Sequence, residues 1–231
     1  MKKVFLILLL GFTMYSMSNA QEAEVSKVSI ALNGDLVSRY VWRGTDFGSA
    51  PAVQPALVFS YGDFQLGAWG SFSLSDNTGG TETDLFAGYS LPFGLGLTVT
   101  DYFFPLETKL MDSQTGAIVN ERSGDYFNIN NHVIEVSARQ DIGSFFLMGA
   151  YFTNLDNDLY VEAGYACKDL SFFAGAGNES YTEDGDWNVC QLGLRYQKEV
   201  VLTEQLSIKP FSTLVFNPSL EQMHFVVGIS F

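Results

Sequence analysis

Apolar and polar residues alternate with a period of two along most of this chain, and this alternation restricts the fold more than any other feature. Twelve segments carry it, near residues 28–43, 51–61, 64–75, 81–91, 94–105, 131–141, 144–154, 158–167, 169–179, 186–198, 204–216 and 222–231. Successive side chains of a β-strand point to opposite faces, so each segment predicts a strand with one apolar face. The chain is therefore expected to be all-β.

The connections between these segments alternate in length. Short ones lie at Gly62-Asp63, Pro92-Phe93, Ile142-Gly143 and Lys168, and longer ones at 44–50, 76–80, 106–130 and 180–185, while 155–157 and 199–203 depart from this order. Short turns at one end and longer loops at the other are typical of outer-membrane barrels. Closure pairs every backbone N–H and C=O within the sheet, as lipid requires. The pattern predicts a closed antiparallel transmembrane β-barrel of about twelve strands, with a range of ten to fourteen; the alternative is a secreted β-sandwich.

The first twenty residues resemble a secretory signal peptide. Lys2 and Lys3 precede an apolar run from Val4 to Phe12, and Ser18-Asn19-Ala20 fits a cleavage site with small residues. We expect cleavage near Ala20, which divides the chain into a signal peptide (1–20) and an outer-membrane β-barrel (21–231). The alternative is a buried N-terminal strand or a short membrane anchor.

Composition excludes several classes of protein. Charged residues make up 16% of the chain, against ~25% in ordinary soluble domains, and no apolar run is long enough for a membrane-spanning helix. A net charge of −14 argues against nucleic-acid binding. The sequence contains no cofactor, nucleotide or metal-ligand motif. The expected location is the outer membrane of a Gram-negative bacterium, with lipid and lipopolysaccharide as neighbours and the oligomeric state open.

The last strand ends the chain on an aromatic residue. Phe225, Val227, Ile229 and Phe231 form its apolar face. This pattern resembles the C-terminal signal that the barrel assembly machinery reads when it inserts bacterial outer-membrane barrels. The alternative is an ordinary final strand.

Several local motifs together resemble a known family. They are Tyr40-Val41-Trp42-Arg43-Gly44, Pro51-Ala52-Val53-Gln54, Gly67-Ala68-Trp69-Gly70-Ser71, Glu82-Thr83-Asp84-Leu85-Phe86-Ala87-Gly88-Tyr89 and Tyr102-Phe103-Phe104-Pro105. They are similar to motifs of the TorF-type porin family, bacterial proteins of unassigned substrate. The resemblance covers residues 38–105 and implies an outer-membrane barrel that acts as a channel. Arg39 departs from the family, which commonly has an acidic residue there.

The polar faces of the predicted strands carry charges of both signs. On the expected register they line the lumen, together with a histidine of the last strand: Asp35, Arg39, Arg43, Glu82, Asp84, Glu135, Arg139, Glu162, Arg195 and His224. One interpretation is a water-filled pore, a passive diffusion channel for small hydrophilic solutes whose selectivity these charges set. The other is a lumen plugged by paired ions, because twelve strands lie between a filled and an open barrel. For Arg43 in particular, an acidic partner such as Asp46 is expected to fix the loop.

The long loop at 106–130 is the candidate for a constriction or for partner binding. Its candidate residues are Lys109, Glu121, Arg122 and Tyr126. Loops on a rigid scaffold commonly carry recognition. A plugged structural or ligand-binding barrel that uses this loop is therefore the alternative to the channel.

A lipid-modifying outer-membrane enzyme is a weaker hypothesis. Only His132 and His224 could serve as a catalytic base, and no G-x-S-x-G nucleophile motif is present. We therefore expect no enzymatic activity. Cys167 and Cys190 could form a disulfide in an oxidising compartment, but their strand positions make alignment awkward, so free thiols are expected.

Overall fold

A computed structural model describes residues 27–75, 80–105, 124–155, 157–204 and 206–231, together with the backbone of 8–9, 12–13, 108–111 and 118–122. Twelve long strands dominate it. They are β1 (Val28–Val37), β2 (Ala52–Tyr61), β3 (Phe64–Ser73), β4 (Glu82–Ser90), β5 (Leu95–Phe103), β6 (His132–Ile142), β7 (Phe145–Phe152), β8 (Leu159–Cys167), β9 (Leu170–Gly177), β10 (Asn188–Gln197), β11 (Leu206–Asn217) and β12 (Gln222–Ser230).

The twelve strands form one closed antiparallel barrel. Each strand pairs with the next in the chain, and β12 returns to β1 with Gly228 opposite Val37 and Ser230 opposite Asp35. The terminal residue extends this seam, because the N–H of Phe231 donates to the carbonyl oxygen of Gly34 at 2.9 Å. The predicted all-β fold, the strand number and the closure are confirmed.

Short elements complete the described structure. Hairpins form between Val41–Trp42 and Thr45–Asp46, between Thr108–Met111 and Ile118–Arg122, and between Leu8–Leu9 and Phe12–Thr13, and Val200–Thr203 pairs with the start of β11. Ile129–Asn131 and Glu179–Tyr181 are single 3₁₀ turns. No helix in the described part of the chain is long and apolar enough to cross a membrane.

The first strand is shorter than the alternation predicts. The sequence predicts a strand to residue 43, and this is wrong, because β1 ends at Val37. The N–H of Ser38 still donates to the carbonyl oxygen of Val227 at 2.8 Å. Beyond it, Arg43 and Gly44 adopt φ angles of +47° and +84°, which extended strands do not allow. The alternation continues past β1 because Tyr40 and Trp42 enter the lumen.

The two faces of the barrel differ in polarity as the alternation predicts. On the outer face large apolar side chains are exposed, with Ile30 and Leu32 at 71% and 77%. On the inner face polar side chains such as Gln54, Thr100 and Gln191 are buried. Apolar residues outside and polar residues inside are the pattern of barrels that lipid surrounds.

Inward glycines make room for inward aromatic rings of the neighbouring strand. Gly193 lies opposite Phe173, and a Cβ at Gly193 would overlap the Phe173 ring. Gly228 has the same relation to Phe211 across β11 and β12. Alternating small and large residues in this way fills the interior of a small barrel.

Replacing Gly193 by alanine is expected to destabilise the barrel by about 1–3 kcal/mol, because the new methyl group overpacks the Phe173 ring. Gly149 is the matched control, since it also lies in a strand but has no neighbouring atom within 4 Å of its Cβ position. Urea unfolding of the refolded barrel measures both changes. Equal stability of the two variants would contradict the packing account.

Candidate functional site

The segment that follows β1 folds into the lumen. We call residues 38–49 the plug segment. It turns at Arg43 and Gly44, and the N–H of Phe47 donates to the carbonyl oxygen of Tyr40 at 2.8 Å. Its short hairpin pairs with no barrel strand among the described residues. The plug segment therefore lies across the loop end of the lumen, the end opposite the short turns, and is held there mainly through side chains.

Arg43 joins the plug segment to the opposite wall. Its Nη1 and Nη2 donate to the two carboxylate oxygens of Glu135 at 2.6 and 3.0 Å, and Nη1 also donates to the Tyr181 hydroxyl at 2.6 Å. Its guanidinium carbon lies 4.3 Å from the Trp42 ring and 4.4 Å from the Tyr160 ring. The partner is thus Glu135 of β6, and the expected contact with Asp46 is absent from the described ion pairs.

The charges around Arg43 favour its ionised form. Burial is the largest single influence and acts to lower the pKa of Arg43, but the charge and hydrogen bond of Glu135, together with Tyr181 and Tyr102, outweigh burial and the pKa is raised. Burial raises the pKa of Tyr181, and the nearby Arg43 charge offsets this only partly. The Tyr181 hydroxyl therefore stays neutral and can accept the hydrogen bond from Arg43.

Gly44 is the second anchor of the plug segment. Its carbonyl oxygen accepts a hydrogen bond from the Asn217 side-chain amide at 3.3 Å. A Cβ at Gly44 would overlap the carbonyl oxygen of Cys190. Asn217 and Cys190 are both completely buried. Only glycine allows this close approach to the wall between β10 and β11 with a positive φ.

Aromatic side chains fill the space around the plug segment. The Trp42 ring centroid lies 5.7 Å from that of Tyr102, 6.4 Å from that of Phe152 and 6.2 Å from that of Tyr181. Tyr40 packs against Trp69, with ring centroids 5.5 Å apart, and Trp42 also packs against this cluster. Together these rings occupy the loop end of the lumen.

A carboxylate fixes the outer part of the plug segment. Asp46 accepts hydrogen bonds from the N–H groups of Gly48 and Ser49 and from Arg39. Burial acts to raise the pKa of Asp46, but these hydrogen bonds and the Arg39 charge outweigh it and hold its pKa below the usual range. Asp46 is therefore ionised at neutral pH and keeps the turn at 46–49 in place.

Below the plug segment the lumen contains a cavity of about 390 Å³. It begins at Trp42 and Arg43 and extends to the other end of the barrel, the turn end, where Ser90, Lys168 and Asp169 line it. In the described structure the lumen is thus a cavity lined by charged and apolar side chains, and the plug segment fills its loop end.

The predicted lumen residues fall into two groups. Seven of the ten line the cavity, namely Asp35, Arg39, Arg43, Glu135, Arg139, Glu162 and Arg195. The other three, Glu82, Asp84 and His224, are buried nearer the loop end. The Tyr40 hydroxyl interacts with the carboxyl group of Glu82.

Only one of the candidate residues of the 106–130 loop has a described side chain, and that residue does not line the cavity. The side chains of Lys109, Glu121 and Arg122 lie outside the described residues. Tyr126 packs against Phe103 and His132, with ring centroids 5.1 and 5.0 Å apart. The loop itself contains a hairpin that the sequence did not predict.

Histidine and cysteine side chains are the remaining candidates for chemistry or metal binding. His132 Nδ1 lies 2.8 Å from Asp101 Oδ1, and its Nε2 lies 2.6 Å from the carbonyl oxygen of Tyr126. Both cysteines are free, with Cys167 exposed and Cys190 buried. Within the described residues, no three His, Cys, Asp or Glu side chains come together as a metal-ligand set.

The sequence did not reveal the aromatic residues that surround Arg43. Trp42, Tyr160 and Tyr181 come from three separate parts of the chain, and nothing in their local sequence links them. The one available signal was the Arg43-Gly44 pair, where a glycine follows a charged residue inside an apparently regular strand.

These features define a closed twelve-strand barrel with an apolar outer face, a lumen that carries charges of both signs and an inward-folded plug segment. A family model described as a bacterial protein of unknown function (Gcw_chp) matches residues 20–182, more than half of the chain. The chain belongs to this family. The match includes the plug segment, Glu135 and Tyr181 but not Asn217. No curated protein is similar enough to this chain to count as a match.

Proposed function

We propose that this protein is an outer-membrane channel for small hydrophilic solutes whose closed state is held by the plug segment. The observation that carries the proposal is the cavity, which extends from the plug segment to the turn end and is lined by charges of both signs as well as by apolar side chains. In this view the lumen charges Asp35, Glu162 and Arg195 set the selectivity of the passage.

The proposed location rests on the outer face of the barrel. Exposed apolar side chains cover it, and such a surface is unfavourable in water but suits a lipid bilayer. On this ground we assign the protein to the outer membrane, surrounded by lipid and lipopolysaccharide, with residues 1–20 as a signal peptide that is cleaved during export. The turn end would face the periplasm. The proposal includes no catalytic step.

The plug segment is suited to movement because, apart from Ser38, which exchanges hydrogen bonds with Val227 of β12, it is not part of the barrel wall. Its removal from the lumen would break no hydrogen bonds between the described barrel strands. Loops outside the regular ladder open at lower free-energy cost than core strands. Solute passage would then require release of the Arg43–Glu135 contact and of the aromatic rings around Trp42.

A vesicle-swelling assay tests this function. Vesicles that contain the refolded wild-type barrel are expected to take up small sugars slowly. A variant with residues 40–47 replaced by a glycine-serine linker is expected to take them up at least tenfold faster, because the loop end of the lumen is then open. Vesicles without protein provide the background.

A ligand-binding barrel that does not conduct is the second candidate. The observation that favours it is the burial of the Arg43–Glu135 pair, with side chains only 7% and 3% exposed. Failure of both wild type and linker variant to pass sugars, when both are folded and inserted, would reject the channel and leave this candidate.

A further inference from the structure

Two arginines of the lumen each lie over an aromatic ring but differ in their hydrogen-bond partners. The Arg139 guanidinium carbon lies 3.8 Å from the Phe146 ring centroid, and that of Arg195 lies 3.7 Å from the Phe211 ring centroid. Arg139 donates from Nε and Nη2 to the carboxylate of Asp141 at 3.2 and 2.8 Å. Arg195 has no such partner among the described residues, and its Nε and Nη2 make no hydrogen bond there.

The unpaired atoms of Arg195 form the edge with which arginine recognises oxyanions. Nε and Nη2 point their N–H groups in parallel and match the two oxygens of a carboxylate or phosphate. Asp141 occupies this edge in Arg139. In Arg195 the same edge is shielded from water and carries unsatisfied donors, which is unfavourable.

A second unsatisfied group lies directly opposite Arg195. Thr213 of β11 is its Cα partner across the β10–β11 pair, and the Thr213 hydroxyl also lacks a hydrogen-bond partner within the described chain. Both residues line the cavity. A guanidinium and a hydroxyl are thus placed side by side on one wall of the cavity.

The acidic group whose charge acts on Arg195 does not occupy this edge. Asp35 acts on Arg195 through its charge but forms no ion pair with it among the described contacts. Asp35 instead interacts with the Ser230 side chain. The cavity, of about 390 Å³, is at the lower end of the size range of small-molecule sites.

We infer that Arg195 and Thr213 form a binding site for the oxyanion group of a small solute, a carboxylate or a phosphate, in the lumen cavity. Binding turns the Nε–Nη2 edge of Arg195 from the wall to the cavity, while the Phe211 ring continues to support the guanidinium. The Thr213 hydroxyl donates to the same oxyanion. A role of this site in selectivity rests on the proposed channel function. Anion binding at the site does not depend on conduction.

Isothermal titration calorimetry on the refolded, detergent-solubilised barrel tests the site. The probes are succinate, inorganic phosphate and, as a cation of similar size, choline. Succinate or phosphate is expected to bind at one site and choline is not. Binding of both anions indicates that the site recognises oxyanions in general. Binding of only one shows whether the ligand group is a carboxylate or a phosphate.

Variants assign the binding to Arg195. Arg195→Gln is expected to weaken anion binding at least tenfold, the equivalent of about 1.4 kcal/mol, and Thr213→Val several-fold. Arg139→Gln is the matched control and is expected to change affinity less than twofold, because Asp141 already occupies that guanidinium. If Arg195→Gln does not fold, Arg195→Lys tests the site, since it keeps the charge but loses the two-point contact.

Two results would overturn the inference: no anion binding by folded wild type, or binding that Arg195→Gln leaves unchanged. Neither depends on conduction. A barrel that binds anions but passes no solute would reject only the channel, and a barrel that conducts without binding anions would reject only this site.

Discussion

Replacing Arg43 by alanine is expected to destabilise the folded barrel by about 3 kcal/mol, because Glu135 then remains as a buried carboxylate without its partner. The two side chains are 7% and 3% exposed, and both Glu135 oxygens accept from Arg43. The change also removes the guanidinium from the Trp42 and Tyr160 rings. Urea unfolding of the refolded barrel, followed by tryptophan fluorescence, measures the loss.

Two control variants distinguish the stability lost with the buried ion pair from the stability lost on removing any arginine. Arg39→Ala is expected to cost less than about 1 kcal/mol, since Arg39 pairs with Asp46 while its side chain is 35% exposed. The double variant Arg43→Met/Glu135→Leu is expected to be more stable than Arg43→Met alone, because no charge is left unpaired. Equal losses for Arg43→Ala and Arg39→Ala would contradict the role of Arg43 as the anchor of the plug segment.

Replacing Gly44 by alanine is expected to displace the plug segment. Gly44 has a φ of +84°, and its Cβ position overlaps the carbonyl oxygen of Cys190, which belongs to the barrel wall. Backbone cannot move aside as a flexible side chain can, so the plug segment must shift and the Asn217 hydrogen bond to Gly44 must break. We expect a loss of about 3 kcal/mol, the sum of backbone strain and overpacking.

Gly62 provides the matched control for Gly44. It also has a positive φ, of +58°, but no atom lies within 4 Å of its Cβ position. Gly62→Ala is therefore expected to cost only the backbone strain, about 1–2 kcal/mol. The difference between the two variants isolates the contact with Cys190. If the two losses are equal, Gly44 is needed only for its φ angle and not for its approach to the wall.

The barrel could be predicted from the sequence because each strand carries its own signal. A strand with one face in lipid and one in a polar lumen must alternate residue by residue, and a one-residue shift would exchange the two faces. The twelve predicted segments accordingly coincide with β1 to β12 within a few residues at most ends. The same signal gave the wrong end for β1, since Tyr40 and Trp42 keep the alternation while they pack inside the lumen.

The plug could not be predicted in the same way because its contacts join distant residues. Arg43 and Glu135 are 92 positions apart, and Arg43 and Tyr181 are 138 apart. Both Arg43 and Glu135 carry a charge suitable for a pore wall, and only the fold reveals that they meet. The difference between Arg139 and Arg195, by contrast, has a local signal, since Asp141 lies two residues after Arg139 on the same strand face and Gln197 holds that position after Arg195.

Single-channel recording of the refolded protein in a planar bilayer tests the central claim most directly. The wild-type barrel is expected to be closed for most of the time with brief conductance steps, and the linker variant of residues 40–47 is expected to give long-lived steps of the same or larger size. Silence from both variants, with insertion verified, would contradict the channel. Permanently open wild-type channels would contradict the plug.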